Sequence, residues 1–73
     1  MKRNHALLLL LLCGYLGVYQ GNLAVFPSGQ TQPAQVFPRA VSYYPEADQQ
    51  ALKAGIPYRT QAELTRLLED YLS

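Results

Sequence analysis

The sequence predicts an α+β fold: a small three-stranded antiparallel sheet packed on two helices, preceded by an N-terminal hydrophobic signal or anchor segment. Three observations carry that expectation. Two β-rich runs, Tyr15 to Tyr19 and Leu23 to Phe26, flank the turn formers Gln20, Gly21 and Asn22, which is a hairpin signal. A helix-compatible stretch is bracketed by Pro45 at its start and Gly55 at its end. A capping-box sequence, Thr60 to Glu63, opens an apolar stripe that runs to Leu72.

In chain order the leader comes first. Lys2 and Arg3 precede Ala6 and an unbroken run of leucines, Leu7 to Leu12, the n-region and h-region pattern of an export signal. Consecutive leucines cover every side of a helix, and a domain this small cannot bury such a helix all round, so the segment points to a membrane. A spanning helix needs about 20 apolar residues. The run from Ala6 to Val18 is shorter, and lengthening it would consume the first strand. A cleaved signal or a lipid anchor resolves the conflict. Leu10 to Gly14 is similar to the lipobox of bacterial lipoproteins, with Leu12 standing where a small residue is usual, and this makes Cys13 the candidate acylation site. The competing reading is an apolar cysteine packed in a signal or anchor helix. Residues 1–14 are thus expected to be the signal or anchor and residues 15–73 the domain. The domain would be extracytoplasmic, secreted or held at a membrane through residues 6–13 or a lipidated Cys13.

Within the domain, Pro27, Ser28 and Gly29 close the second strand and Gln30 to Pro33 form a polar loop. A third β-rich stretch, Gln35 to Phe37, is expected to resume after Pro38 as Ala40 to Tyr43. Pro38 has no donor for a ladder, which predicts an edge strand or a bulge there. Pro45 opens the first helix where its missing N–H is harmless. Glu46 and Asp48 suit the positive first turn, and Lys53 the negative last turn. Gly55 stops the helix, Ile56 is expected to fold back on its end, and Pro57 prevents continuation, leaving Tyr58 in an inter-helix loop. In the second helix Thr60 caps the first turn and Glu63 is expected to return to the Thr60 amide. Leu64, Leu67, Leu68, Tyr71 and Leu72 form one apolar stripe to rest on the hairpin, with Arg66, Glu69 and Asp70 on the wet side.

Charge and residue types narrow the function. After the leader come four basic and five acidic residues, a net charge of −1, which lacks the clustered cations that nucleic-acid binding requires. His5 and Cys13 are the only histidine and cysteine. Once the leader is removed, imidazole or thiolate metal sites and Ser–His or Cys–His pairs have no residues to build them. The five carboxylates fall where helix termini or solvated faces account for them, and the N-terminal glycines are followed by no helix start or lysine that would make a phosphate loop. The expectation is therefore a non-enzyme with no cofactor, no metal and no nucleic acid. The six tyrosines suit half-buried strand positions with wet hydroxyls. A sharper reading makes Tyr43, Tyr44 and Tyr58, with Arg39 and Arg59 close in sequence, a partner-binding patch, because tyrosine and arginine dominate interface hot spots. An exposed sheet edge offers a second means of binding a protein.

Several segments together resemble the C-terminal domain of bypass-of-forespore C proteins and of short anchored proteins that carry this domain alone. Tyr19 to Phe26 is similar to the family's opening hairpin, Val41 to Gln49 to its strand-to-helix junction, Leu52 to Ile56 to its helix stop, and Glu63 to Tyr71 to its closing helix. The Pro-Glu-Ala-Asp and Leu-Leu-Glu-Asp-Tyr stretches are the more specific parts. The resemblance implies an exported protein of a spore-forming bacterium, with a small sheet packed against helices and a regulatory role in sporulation signalling. Its name-giving members restrain a signalling serine peptidase between the two membranes of the developing spore. The function expected is a membrane-tethered module that binds an unidentified protein partner. The alternative is a small integral membrane peptide in which Ala6 to Tyr19 inserts and modulates a membrane complex.

An intact-mass measurement of the protein from its native host separates the fates of the leader. A mature chain beginning at Cys13 with added acyl mass establishes lipidation, and one beginning at Met1 establishes a retained anchor.

Overall fold

The computed structural model describes residues 13–73, so residues 1–12 of the expected signal or anchor lie outside the described residues, while its last two, Cys13 and Gly14, join the sheet, Gly14 as the first residue of a strand. The chain forms strands β1 (Gly14–Tyr19), β2 (Asn22–Pro27) and β3 (Gln35–Ala40), a 3-10 turn at Val41–Tyr43, helix α1 (Glu46–Ala54), strand β4 (Ile56–Tyr58) and helix α2 (Gln61–Leu72). The sheet is antiparallel in the order β3-β2-β1-β4. The fold is α+β with two helices, and its sheet has four strands where three were expected.

Hairpin β1–β2 pairs Tyr19 with Asn22, so Asn22 belongs to the strand and the turn is Gln20-Gly21 alone. Both turn residues have positive φ, 50° and 84°, the arrangement whose twist matches that of the flanking strands. β2 lies inside the sheet and buries Leu23, Ala24, Val25 and Phe26 in succession. An uninterrupted apolar run suits a strand covered on both faces.

Beyond the polar loop, β3 passes through Pro38 and ends at Ala40. It is an edge strand, and its register against β2 slips between Asn22 and Ala24, so both expected consequences of Pro38 are present. The strand does not continue to Tyr43. Val41 is 4% exposed, and placing its side chain in the core draws the chain off the sheet edge into the 3-10 turn. The Val41 N–H donates to the Gly21 carbonyl (2.8 Å), and the Tyr44 N–H closes the turn on the Val41 carbonyl (3.1 Å).

The fourth strand follows from the way α1 stops. Gly55, at φ 92°, donates its N–H to the Ala51 and Leu52 carbonyls, and the chain leaves alongside β1. Ile56 then enters the sheet opposite Leu16, Pro57 opposite Tyr15 and Tyr58 opposite Gly14. Pro57 is accommodated because β4 is the second edge. Tyr58 is accordingly a buried strand residue, 3% exposed, and not a loop residue. A run of three residues containing proline carries no readable alternation, which is why it reads as a loop.

Leu16, Leu23, Val25, Val41, Leu52, Tyr58 and Leu64 form the core, and Leu67, Leu68, Tyr71 and Leu72 pack partly buried against it. The stripe of α2 thus lies where its spacing places it, with Arg66, Glu69 and Asp70 exposed. Thr60 caps α2 by accepting the Glu63 N–H at 3.1 Å. The Glu63 carboxylate accepts the Arg59 N–H at 2.7 Å instead of that of Thr60, reaching one residue further back than a capping box prescribes.

The strand registers divide the sheet into two faces. Leu16 and Val18 with Val25 and Leu23 face the helices, and Tyr15, Gly17 and Tyr19 with Phe26 and Ala24 form the other face. There Tyr15 stacks on Phe26 at 4.9 Å and 7°, and Tyr19 tilts towards the same ring at 6.4 Å. The Tyr15 ring lies over Gly17, where a Cβ would come within 3.2 Å of it.

Leu52, 1% exposed, is the residue through which α1 enters the core. Leu52→Ala is expected to lower the unfolding free energy by about 2–5 kcal/mol in urea titration. Val36→Ala, at a position 43% exposed, is expected to change it by no more than about 0.5 kcal/mol. Equal effects would contradict the assignment of this core.

Candidate functional site

The residues that the sequence marks as a patch fall into two groups at opposite ends of the sheet. Ala40 pairs with Asn22 beside the hairpin turn, whereas Tyr58 pairs with Gly14 at the start of β1. At about 3.3 Å per residue, the length of β1 puts roughly 17 Å between those positions along the strand direction.

Arg39, Tyr43 and Tyr44 come together at the first of these ends. Arg39 is half-buried near the end of β3 and reaches the C-terminal end of α2. Its Nη1 donates to the Tyr71 carbonyl at 3.1 Å, and its Nη2 to the Leu72 carbonyl at 3.4 Å. These carbonyls are among the four that a helix end leaves without intrahelical partners, and the guanidinium charge also opposes the negative end of the helix dipole. Tyr44 donates its hydroxyl to the same Tyr71 carbonyl, and its ring meets that of Tyr71 edge-on at 5.2 Å and 90°. Gln49 of α1 holds the Tyr44 carbonyl at 2.8 Å, and the Tyr71 hydroxyl donates to Asp48 Oδ1 at 3.2 Å. β3, the 3-10 turn, α1 and α2 are therefore joined by one polar network.

Tyr43 stands outside that network. It is 81% exposed, and its ring centroid lies 5.9 Å from the Arg39 guanidinium carbon, within reach of a cation–π contact. The corner presents a projecting aromatic ring backed by a cation that surrounding groups hold in place.

At the other end, the Cys13 N–H donates to the Tyr58 carbonyl at 3.0 Å, the Cys13 thiol points at the Arg59 carbonyl at 2.9 Å, and the Ser28 N–H donates to the Cys13 carbonyl at 2.9 Å. Cys13 is exposed and free, fixed at the margin of the sheet between β2 and β4. Arg59 is exposed and begins the turn into α2. Tyr58 presents no surface to a partner. Burial first, and then the neighbouring Cys13, push its phenol above the ordinary tyrosine pKa.

Tyr71 and Asp48 complete the corner, yet the sequence gives them only generic roles, Tyr71 as a stripe residue and Asp48 as a first-turn acid. No local signal joins them, because 23 positions separate the pair. Burial is the main cause that raises the Tyr71 pKa; the hydrogen bond to Asp48 and that residue's charge follow, with smaller contributions from Tyr44 and Asp70. Among the described residues, no three His, Cys, Asp or Glu side chains stand close enough to hold a metal ion, and no helix is long and apolar enough to cross a membrane.

A four-stranded antiparallel sheet with both helices contributing to the core on one face, and a tyrosine-arginine corner where β3 meets the end of α2, define a small α+β domain. The chain belongs to the BofC C-terminal domain family, whose profile matches residues 12–73. That family is a regulatory one associated with sporulation and is not a known family of enzymes. No curated protein and no solved structure gives a match.

Both raised phenols ionise less readily in the fold than in the unfolded chain. Their contribution to stability is therefore complete below the ordinary tyrosine pKa of about 10 and is lost as pH rises through the higher folded values. Tyr71→Phe removes one of the two groups along with the Asp48 contact. It is expected to lower stability by about 0.5–1.5 kcal/mol at neutral pH and to make the alkaline decline shallower than in the parent. An unchanged alkaline slope in denaturant titrations above about pH 9 would exclude Tyr71 as a source of that decline.

Proposed function

We propose that this chain is an extracytoplasmic, membrane-tethered regulatory module that binds a protein partner through the corner built on Arg39, Tyr43 and Tyr44. The observation that carries the reading is the 81% exposure of Tyr43 above a guanidinium that is itself held by α2 carbonyls. A large aromatic ring is seldom left so exposed by a domain with little apolar area to spare, and a ring with few rotatable bonds loses little entropy on being covered. Arg39 and Tyr44 secure the place from which Tyr43 projects, and their substitution would disturb α2 itself.

The reading also accounts for the direction of the chain. Residues 1–12, with their basic start and run of leucines, join the sheet at Cys13, and the Tyr43 corner lies at the end of the sheet beside the hairpin turn. A module tethered through its leader holds that corner away from its point of attachment. The sporulation link of the family fits a partner in the envelope of the developing spore.

Tyr43→Ala tests the corner while leaving the hydrogen bonds of the network in place, since Tyr43 adds no side chain to the core and gives up only its contact with the Arg39 guanidinium. Photo-crosslinking from position 43 in membranes of sporulating host cells is expected to yield a defined adduct. The alanine variant is expected to lose about 2 kcal/mol or more of binding to the protein so identified, roughly thirtyfold in affinity, with its thermal unfolding unchanged. Equal affinity of the variant and the parent would remove the corner from consideration.

A further inference from the structure

The sheet face opposite the main core carries Tyr15, Tyr19 and Phe26 with Val36 and Ala40 across from β2 and Pro57 across from β1. Its centre is covered, Ala24 and Phe26 being buried beneath the tyrosine rings, and the end of α1 touches its margin at Gly17 and Tyr15, so Tyr15, Val36, Ala40 and Pro57 supply what is exposed. None of these is charged. Every charged side chain among the described residues belongs to α1, to α2, to the Arg59 turn or to Arg39, which reaches the helix side. The outer face of an antiparallel sheet ordinarily alternates to polar and charged residues. Here Tyr15 remains 39% and Val36 43% exposed in an uncharged, aromatic surface.

We infer that this face lies against the headgroup layer of a lipid bilayer, with β1 roughly parallel to the membrane plane. The inference rests on the tethering proposed above and adds an orientation to it. Two observations select lipid as the occupant. The strand that carries Tyr15 and Tyr19 is the direct continuation of the leader: the leucine run ends at Leu12, Cys13 is fixed to the sheet margin, and Tyr15 follows two residues later. A leader held in a bilayer brings this strand, before any other element, to the lipid surface. The distribution of charge agrees with that placement. Tyrosine favours the membrane interface, where its ring meets acyl chains and its hydroxyl stays wet. With this face down, no charged group has to leave water, and the charged outer side of α2 points away from the lipid.

The chain contains no tryptophan, so single tryptophans report on each face. Full-length protein carrying Tyr15→Trp, Val36→Trp or, on the exposed side of α2, Thr65→Trp would be reconstituted with phosphatidylcholine vesicles whose acyl chains are either brominated or unmodified. The expected result is a blue shift at positions 15 and 36, with loss of emission in the brominated vesicles, and unchanged emission at position 65. Two positions on the same face guard against one variant failing to fold. Co-flotation of the protein without quenching at 15 and 36 would overturn the orientation and leave the tether standing. Failure of the parent chain to co-float would overturn both. A blue shift at 15 and 36 that is not quenched and grows with protein density would assign the face to a second copy of the chain, which also overturns the inference.

Discussion

Leu16 is the point on which this domain closes. It sits on an inner strand with no exposed surface, opposite Val25 on one side and Ile56 on the other. Its side chain meets the cluster to which α1 contributes Leu52 and α2 contributes Leu64. Full burial of a leucine is worth about 1.5–3 kcal/mol, a large share of the margin open to a domain of some 60 residues. Because hairpin, edge strand and helices all converge there, none of them has a separate core to fall back on. The position of β4 follows: Gly55 ends α1 where the next residue can pair beside Leu16 and close the cluster from the open side.

The second constraint lies at the far end and is polar. A helix as short as α2 gains little from its own hydrogen bonds and holds its place through what it packs on and how its ends are satisfied. Its N-terminus is closed by Thr60 and by the contact between Glu63 and the Arg59 amide. Its C-terminal end is closed by Arg39 and Tyr44, from a strand and a turn more than two dozen residues earlier. The guanidinium fork suits two adjacent carbonyls in a way that a single ammonium does not. The same fork sits under Tyr43, so the grip on α2 and the display of the exposed ring share one side chain.

Local chemistry was legible in the sequence and long-range chemistry was not. The hairpin, the Gly55 stop, the Thr60 cap and the stripe of α2 are each written within a few residues of the atoms involved, and all four stand where the sequence puts them. β4 was illegible because three residues cannot show a period and because Pro57 signals a break wherever the partner strand is unknown. The end of β3 was misplaced for a related reason. Ala40 to Tyr43 has strand-forming residues, and only the core position waiting for Val41 turns the chain aside. Among the site residues, Arg39, Tyr43 and Tyr44 are near neighbours in the chain, and the structure keeps them together. Tyr58 and Arg59 are neighbours of each other, but the antiparallel register carries them to the opposite end of the sheet.

The tyrosines show how far position decides what one residue type does. Tyr58 is consumed by the core, Tyr44 and Tyr71 by a hydrogen-bonded pair of rings, and Tyr15 and Tyr19 by the uncharged face around Phe26. Only Tyr43 has most of its surface in water. A chain that places five of six tyrosines in contacts of its own and leaves one projecting has not run short of places to pack a ring. The segregation of charge follows the same pattern, with the helices carrying nearly all of it and the outer sheet face carrying none. The two faces of the sheet are thus chemically unlike, and β1 serves both: Leu16 and Val18 belong to the core, and Tyr15 and Tyr19 to the uncharged side.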